Sequence, residues 1–363
     1  MYRKTRTVFI QVFAILFGLQ PVIAGSDVSP FGPPKEVSIS DFGPHLSDGE
    51  WYKEEWNHNV WTKEGHFIAV DFAISNIGIG DHKGAYKAHI LSPDGQATTC
   101  TGGLDSDEWS WSKDGFGLVF GSVSVSGDKS SLTVKAICKD LKIDLEFKNL
   151  APPFMPGSGK LKYGDEGYYA KLFPSARARV TGVVSNKGKR LQVDAAGVVE
   201  HSVTTVAPHK SARRWFRFRQ VDENYSIVFA EVETPAKYGH SRHGWAMVYG
   251  EGGRLAATAK VRFDYTGYIK DQKSKHGYVI PRRVRIAAID GDTHLIGTLL
   301  MTSLAEAVDP TAKLSFITRS FVRRFVSPMD YRINCSYKLR LKNKTEDKTI
   351  EGEGSYRFIY VNP

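Results

Sequence analysis

Short runs of alternating apolar and polar residues recur along the chain from about residue 66 onward. Each run is rich in β-branched and aromatic residues and ends at Gly, Asp, Ser or Pro, which is typical of β-strands. Asp94-Gly95, Asp114-Gly115, Gly127-Asp128 and Asp290-Gly291 indicate tight turns between such strands. The predicted strands are 66–74, 85–91, 116–125, 131–138, 141–147, 225–232, 244–250, 254–265, 281–289, 294–301, 331–342 and 347–361.

Long helical periodicity is absent from the sequence. A few turns of helix are predicted only near 303–308, where Leu304, Ala305 and Ala307 cluster. Many short strands with few helices indicate an antiparallel all-β protein built as sandwiches or barrels.

Two segments show how the predicted strands bury one face. Side chains alternate between the faces of a strand, so in 191–201 the side chain of His201 shares an apolar face with Val193 and Val199. In 337–342, Tyr337, Leu339 and Leu341 face one way and the lysines and arginine between them face the other. One-sided burial of this kind fits a closed barrel with a filled or ligand-holding interior.

The N-terminus has the three-part pattern of a secretory signal peptide. Arg3, Lys4 and Arg6 precede an apolar run from Val8 to Leu19, and a less apolar stretch ends at Ala24. The run is shorter than the roughly 20 residues of a bilayer span, which disfavours the alternative of a retained anchor. Residues 1–24 are therefore predicted to be removed on export to a secreted or periplasmic location, and 25–36, with three prolines, to form an extended tether.

Removal of the signal peptide changes the charge of the chain. Three of the 49 basic side chains and none of the 39 acidic ones lie in 1–24, so the formal net charge falls from +10 to +7. The remaining basic residues are scattered, which disfavours nucleic-acid binding because that function needs a dense basic patch. The charge leaves peripheral contact with an anionic membrane surface as an open alternative.

The length of the mature chain, about 340 residues, predicts two domains, at 37–205 and 206–363.

Three cysteines remain for a chain in an oxidising compartment. A Cys100–Cys138 disulfide bond with Cys335 left free is one interpretation, and three unpaired thiols is the other. The sequence has no C-x-x-C pair, no nucleophile elbow, no phosphate loop and no H-E-x-x-H. His240 and His243 are close in a glycine-containing loop, but they lack further ligands, so neither a metal nor another cofactor is predicted.

The order of features between residues 145 and 201 is distinctive, and a glycine-rich segment at 351–356 adds to it. The motifs are Leu150-Ala151-Pro152-Pro153, Gly157-Ser158-Gly159, Gly167-Tyr168-Tyr169, Phe173-Pro174, Arg179-Val180-Thr181-Gly182, Asn186-Lys187-Gly188-Lys189, the strand Val193 to His201 and a closing Glu351-Gly352-Glu353-Gly354-Ser355-Tyr356. Together they resemble the superfamily of AttH-type proteins, carotenoid 1,2-hydratases, the fungal survival factor and fungal Diels–Alderases. The resemblance implies two consecutive lipocalin-like β-barrels that hold an apolar ligand.

The resemblance also implies site residues. In the hydratases a histidine, a tryptophan two residues later and a Tyr-x-Asp in the next domain carry the acid–base chemistry. His201 matches the histidine, Val203 stands in place of the tryptophan, and Glu231 takes the place of the aspartate. His201 and Glu231 are therefore the predicted catalytic pair. The predicted ligand-binding residues are Tyr168, Tyr169, Trp215, Phe229 and Trp245.

Three functions follow from these observations. The first is an exported protein that binds or carries a hydrophobic ligand such as a lipid, an isoprenoid or a polyketide-like molecule. The second is a cofactor-independent hydratase, isomerase or pericyclase that holds its substrate in a reactive conformer. The third, an envelope assembly protein, rests only on export and residual basic charge. The sequence leaves the oligomeric state open.

Overall fold

The computed structural model describes residues 28–29, 31–78, 80–112, 115–272, 277–313, 323 and 326–362. The predicted signal peptide at 1–24 lies outside these residues. Among them, no helix is long and apolar enough to cross a membrane. Nearly all of the secondary structure is antiparallel β-sheet, which confirms the predicted fold class.

The first sheet has 13 strands and curls into a nearly closed barrel, called here the first barrel. Its long path runs β5-β4-β3-β2-β13-β12-β10-β9-β8-β7-β6, with the short β1 and β11 attached beside β12. The strands are β1 Val28–Ser29, β2 Lys53–Trp61, β3 Phe67–Ser75, β4 Lys83–Leu91, β5 Ala97–Leu104, β6 Trp109–Ser112, β7 Phe116–Phe120, β8 Val123–Gly127, β9 Ser131–Ile137, β10 Leu141–Asn149, β11 Lys160–Tyr163, β12 Tyr168–Asn186 and β13 Lys189–Thr204.

The second sheet has nine strands in the order β17-β16-β15-β14-β22-β21-β20-β19-β18, and it bends until its two ends approach each other. This is the second barrel. Its strands are β14 Arg214–Val221, β15 Ser226–Glu233, β16 Arg242–Gly250, β17 Gly253–Thr258, β18 Val261–Lys270, β19 Val279–Asp290, β20 Thr293–Val308, β21 Met329–Lys342 and β22 Asp347–Tyr360. The short helices are Ile39–Phe42, Pro208–Ser211, Ala236–Tyr238 and Pro310–Lys313.

The predicted helix at 303–308 is wrong, because this segment is the end of β20. Leu304 pairs with Ile333 and Ala307 pairs with Tyr331 of β21, across two register shifts. The local helix propensity of alanine and leucine is weak compared with a complete ladder of interstrand hydrogen bonds.

β13 is buried on both faces along its second half. Val193, Ala195 and Val199 pack into the core of the first barrel, whereas Ala196 and Val198 belong to a separate apolar cluster between the barrels. The alternation predicted for this strand therefore sorts residues between two apolar environments rather than between core and solvent.

The N-terminal segment is not a free spacer where it is described. Val28 and Ser29 pair with β11, and Phe31 is 3% exposed with its ring 5.8 Å from that of Trp245 in the second barrel. Apolar side chains at Val28 and Phe31 explain why this proline-containing stretch docks between the barrels.

In the first barrel, Cys100 of β5 and Cys138, just after β9, form a disulfide bond, and Cys335 is buried and free.

Candidate functional site

Polar side chains enter the core of the first barrel from β2. Alternate side chains are buried, namely Tyr52 just before the strand and Glu54, Trp56 and His58 within it, whereas Lys53, Glu55 and Asn57 are only partly covered. A carboxylate and an imidazole on an apolar face need partners, because burial of a charge without one is costly.

Glu54 accepts four hydrogen bonds in the barrel interior. His201 Nε2 lies 2.6 Å and His45 Nδ1 lies 3.0 Å from Oε1, while the backbone N–H of His45 (2.8 Å) and the hydroxyl of Tyr52 donate to Oε2. Burial alone would raise the pKa of Glu54, but these donors outweigh it and lower the pKa to about 2. The carboxylate is therefore ionised.

His201 is fixed on every side. Its Nδ1 lies 3.2 Å from the carbonyl oxygen of Asp41, and its ring stacks on Trp56 with centroids 4.6 Å apart. Trp56 in turn donates to the carbonyl of Phe42. Burial lowers the pKa of His201, and the adjacent Glu54 carboxylate opposes that shift.

A small cavity of about 60 Å³ adjoins this cluster. Asp41, His45 and His201 contribute to its wall together with Tyr168 and Lys171. His45 is partly accessible, with 33% of its side chain exposed, whereas His201 and Glu54 are almost completely buried. The cluster can therefore be reached through the side that His45 occupies.

A second, much larger cavity of about 770 Å³ lies between the two barrels and is called here the cleft. Its size falls within the range of about 300–1,000 Å³ that ligand pockets commonly have. Strands of both barrels contribute aromatic walls, which include Trp61, Tyr169, Trp215, Phe229 and Trp245.

The cleft also has a charged wall. Lys171 Nζ lies 2.6 Å from Glu200 Oε2, and Arg219 contacts the other oxygen of the same carboxylate. Burial lowers the pKa of Lys171 well below its ordinary value. Arg217 lies over the ring of Trp215, and the indole N–H of Trp245 is buried without an acceptor among the described residues. The cleft thus combines apolar area with a few polar groups.

The hydrogen bonds of the described residues give His201 and Glu231 different partners, and their catalytic role stays a prediction. Glu231 is in the second barrel, where it accepts hydrogen bonds from Arg242 Nε and the hydroxyl of Tyr265, both at 2.9 Å, with Arg214 3.9 Å away. The carboxylate beside His201 is Glu54. The motif match placed Glu231 by its order in the chain, whereas β2 brings Glu54 to β13 as a direct neighbour in the sheet.

The predicted ligand-binding residues divide between the two cavities. Tyr168 lines the small cavity, and Tyr169, Trp215, Phe229 and Trp245 line the cleft. The sequence patterns did not predict Glu54, Lys171 and Glu200 as site residues. The alternation of Tyr52, Glu54, Trp56 and His58 was a signal for the first of these, because it puts a carboxylate on an apolar face.

A family model described as the Svf1 family matches residues 60–356. Ceramide-binding protein SVF1 of Debaryomyces hansenii is 22% identical over 338 residues, which cover 84% of this chain and 86% of that protein. Ceramide-binding protein svf1 of Aspergillus fumigatus is 28% identical over 125 residues, which cover 32% of this chain and 31% of that protein.

Two solved structures share the fold. CghA with bound Sch210972 aligns with a TM-score of 0.57 and 11% identity over 92% of this chain and 99% of that one. An AttH protein of Nitrosomonas europaea aligns with a TM-score of 0.52 and 12% identity over 91% of this chain and 98% of that one. These two alignments confirm the predicted lipocalin-like fold.

Proposed function

The chain belongs to the Svf1 family, and from this premise we propose that it binds a ceramide-like lipid in the cleft between its two barrels. The observation that carries the proposal is the cleft itself, which has about 770 Å³ of space and aromatic walls from both barrels. Relatives in the family bear the name ceramide-binding protein.

The apolar walls of the cleft suit the acyl and sphingoid chains of such a lipid. Trp215 and Tyr169 pack edge to face with centroids 5.2 Å apart, and Tyr169 stacks on Trp245 at 6.4 Å. Flat rings at these positions offer large apolar area with little loss of side-chain freedom on binding.

The polar groups of the cleft suit the amide and hydroxyl groups of the lipid. The indole N–H of Trp245 has no acceptor within the part of the chain that the structure describes, and the lipid's amide carbonyl can supply one. The Lys171–Glu200 pair offers a donor and an acceptor to hydroxyl groups. A few fixed polar groups in an apolar site give orientation and specificity rather than most of the affinity.

The test is binding of a short-chain ceramide to the full chain, followed by tryptophan fluorescence and native mass spectrometry. We expect saturable one-to-one binding in the wild-type protein. The Trp215→Ala change removes one wall of the cleft and should weaken binding by about ten-fold or more, because it deletes an aromatic contact worth roughly 1.5–3 kcal/mol.

The matched control is Trp111→Ala, since Trp111 is half-buried like Trp215 but lies in β6, away from the cleft. This variant should bind ceramide as the wild-type protein does. Equal loss in both variants, or no binding by the wild-type chain, would contradict the assignment of the lipid to the cleft.

A second candidate function is a cofactor-independent hydratase, isomerase or pericyclase. The observation that favours it is the hydrogen bond of His201 to an ionised Glu54 beside a cavity, which is an arrangement suited to proton transfer. Incubation with candidate polyenes tests it. Turnover that is lost in a folded His201→Gln variant supports catalysis, and turnover that survives there removes His201 from the reaction.

We further propose that residues 1–24 direct export of the protein, and that its basic surface allows peripheral contact with anionic membranes. Expression of the full chain in a secreting host, followed by N-terminal sequencing, tests the first part. A mature N-terminus at Gly25 supports it, and an intact Met1 contradicts it. Sedimentation with anionic and with neutral vesicles tests the second.

A further inference from the structure

We propose that His45, Glu54 and His201 form a binding site for one divalent transition-metal ion, with Zn²⁺ as the first candidate. Their donor atoms all lie within 4.8 Å of one another. Among the described residues, no other group of three or more histidine, cysteine, aspartate and glutamate side chains meets this condition.

The donor set has the chemistry of a zinc site. Two imidazole nitrogens and one carboxylate oxygen are the ligands of a familiar class of catalytic zinc centres, which keep a further position open. A tetrahedral ion with bonds of about 2.1 Å holds its ligand atoms about 3.4 Å apart. Glu54 Oε1 is already 2.6 Å from His201 Nε2 and 3.0 Å from His45 Nδ1, so only small side-chain movements would admit an ion.

The surrounding groups orient the ligands as a metal site requires. His201 directs Nδ1 at the carbonyl of Asp41, and this contact leaves Nε2 directed at Glu54. Metal-binding histidines commonly donate their other ring N–H to a carbonyl or a carboxylate in this manner. Tyr52 and the backbone of His45 hold Glu54 Oε2, and Oε1 is the oxygen left for the ion.

Nearby charged side chains do not compete with the three proposed ligands for the ion. The carboxylate of Asp41 is occupied by Ser38 and Lys35, so Asp41 contributes only its carbonyl. Lys171, whose charge acts on His201, is paired with Glu200. The carboxylate of Glu54 supplies negative charge to the ion.

Access and a fourth ligand come from the small cavity. About 60 Å³ beside His45 and His201 is enough for water molecules, which need roughly 10–15 Å³ each by the same kind of measure. His45, at 33% exposure, is the ligand that can move to admit an ion. The site is thus built from two rigid ligands on neighbouring strands and one on the preceding loop.

The experiment is titration of the chelator-treated full chain with Co²⁺, followed by displacement with Zn²⁺. Visible absorption of Co²⁺ reports its coordination geometry. We expect one equivalent to bind in a tetrahedral environment and Zn²⁺ to displace it. His45→Ala and Glu54→Gln should each lower the affinity by at least about ten-fold, whereas the control His66→Ala, which changes another half-buried histidine of the first barrel, should leave it unchanged.

Two results would overturn the proposal. One is failure of the wild-type chain to bind the ion, and the other is binding that persists in both ligand variants and so reveals an adventitious ion only. X-ray absorption of the wild-type chain with Zn²⁺ keeps the test independent of variant folding: two imidazoles with oxygen ligands support the site, and an all-oxygen shell contradicts it. Trp215→Ala should bind the metal normally, which separates this test from that of lipid binding.

Discussion

Glu54 in the first barrel and Glu231 in the second are both buried among hydrogen-bond donors, but the donors differ in kind. Glu54 in the first barrel accepts from two imidazoles and a phenol beside a cavity. Glu231 in the second barrel accepts from Arg242 and Tyr265, with Arg214 nearby, and the rings of Tyr265 and Phe358 cover Arg214. Guanidinium groups stay charged at all ordinary pH values, whereas imidazoles exchange protons near neutrality.

This difference separates a structural cluster from a candidate reactive one. Burial would lower the pKa of Arg242, but Glu231 outweighs that effect and raises it, so this guanidinium stays charged, whereas burial raises the pKa of Glu231. Protons, or a metal ion in their place, can enter and leave the first cluster through His45. Two buried glutamates with basic partners can therefore differ in function, because the kind of basic residue decides whether protons exchange near neutral pH.

The largest expected effect comes from Glu231→Ala. Removal of this carboxylate takes the shared acceptor from Arg242 and Tyr265 and leaves Arg214, whose side chain is only 7% exposed, with Glu233 as its carboxylate partner. Loss of one partner from a buried ion pair costs up to about 3–5 kcal/mol. Hydrogen exchange of the slowest amides should show this loss in β14, β15 and β16. Equal destabilisation of the first barrel would contradict the separation of the two clusters.

A smaller, pH-dependent effect is expected from His58→Leu. Burial lowers the pKa of His58 from 6.5 to about 4. The unfolded chain therefore binds more protons than the folded one in this window, so stability is lost as pH falls from 6.5 towards 4. One unit corresponds to about 1.4 kcal/mol, which gives roughly 3 kcal/mol over the window.

The His58→Leu variant should lose most of that acid sensitivity in the first barrel. The measurement is the difference in exchange protection between pH 7 and pH 4, so that any change in packing cancels. The control His66→Leu changes a histidine that is not fully buried and should retain the wild-type slope. An unchanged slope in the His58 variant would show that His58 binds protons equally in the folded and unfolded chain, which contradicts the lowered pKa.

The smallest effect is expected from Glu54→Gln. The amide oxygen can still accept from Tyr52 and the amide N–H can donate to His201 Nε2, so the variant should fold and lose about 1–3 kcal/mol, the range for a weakened hydrogen bond to a charged group. In the wild-type chain the Glu54 carboxylate has a pKa of about 2, so its contribution to stability is lost as pH falls below 4. The Gln variant lacks this carboxylate and should not show that loss. A loss as large as that in Glu231→Ala would contradict the contrast between the two clusters.

Sequence patterns predicted the architecture better than the site. Strand-like alternation and the order of motifs around His201 were enough for an antiparallel all-β fold of lipocalin-like barrels. They failed at Leu304–Val308, where local preference favours helix but pairing with β21 decides. They also failed at Glu54, since the partner of His201 depends on which strand lies next to β13, and sheet neighbours are not encoded locally.

The docked N-terminal segment has a consequence for the order of folding. Phe31 is synthesised early, yet it packs on Trp245 of the second barrel. Within that barrel, β14 pairs with β22, which comes at the far end of the chain. Contacts between such distant positions form late, because the entropy of closing long loops must be overcome first. During synthesis the N-terminal segment therefore stays solvent-exposed until the second barrel has formed. A chaperone or a membrane surface can bind the segment during that interval.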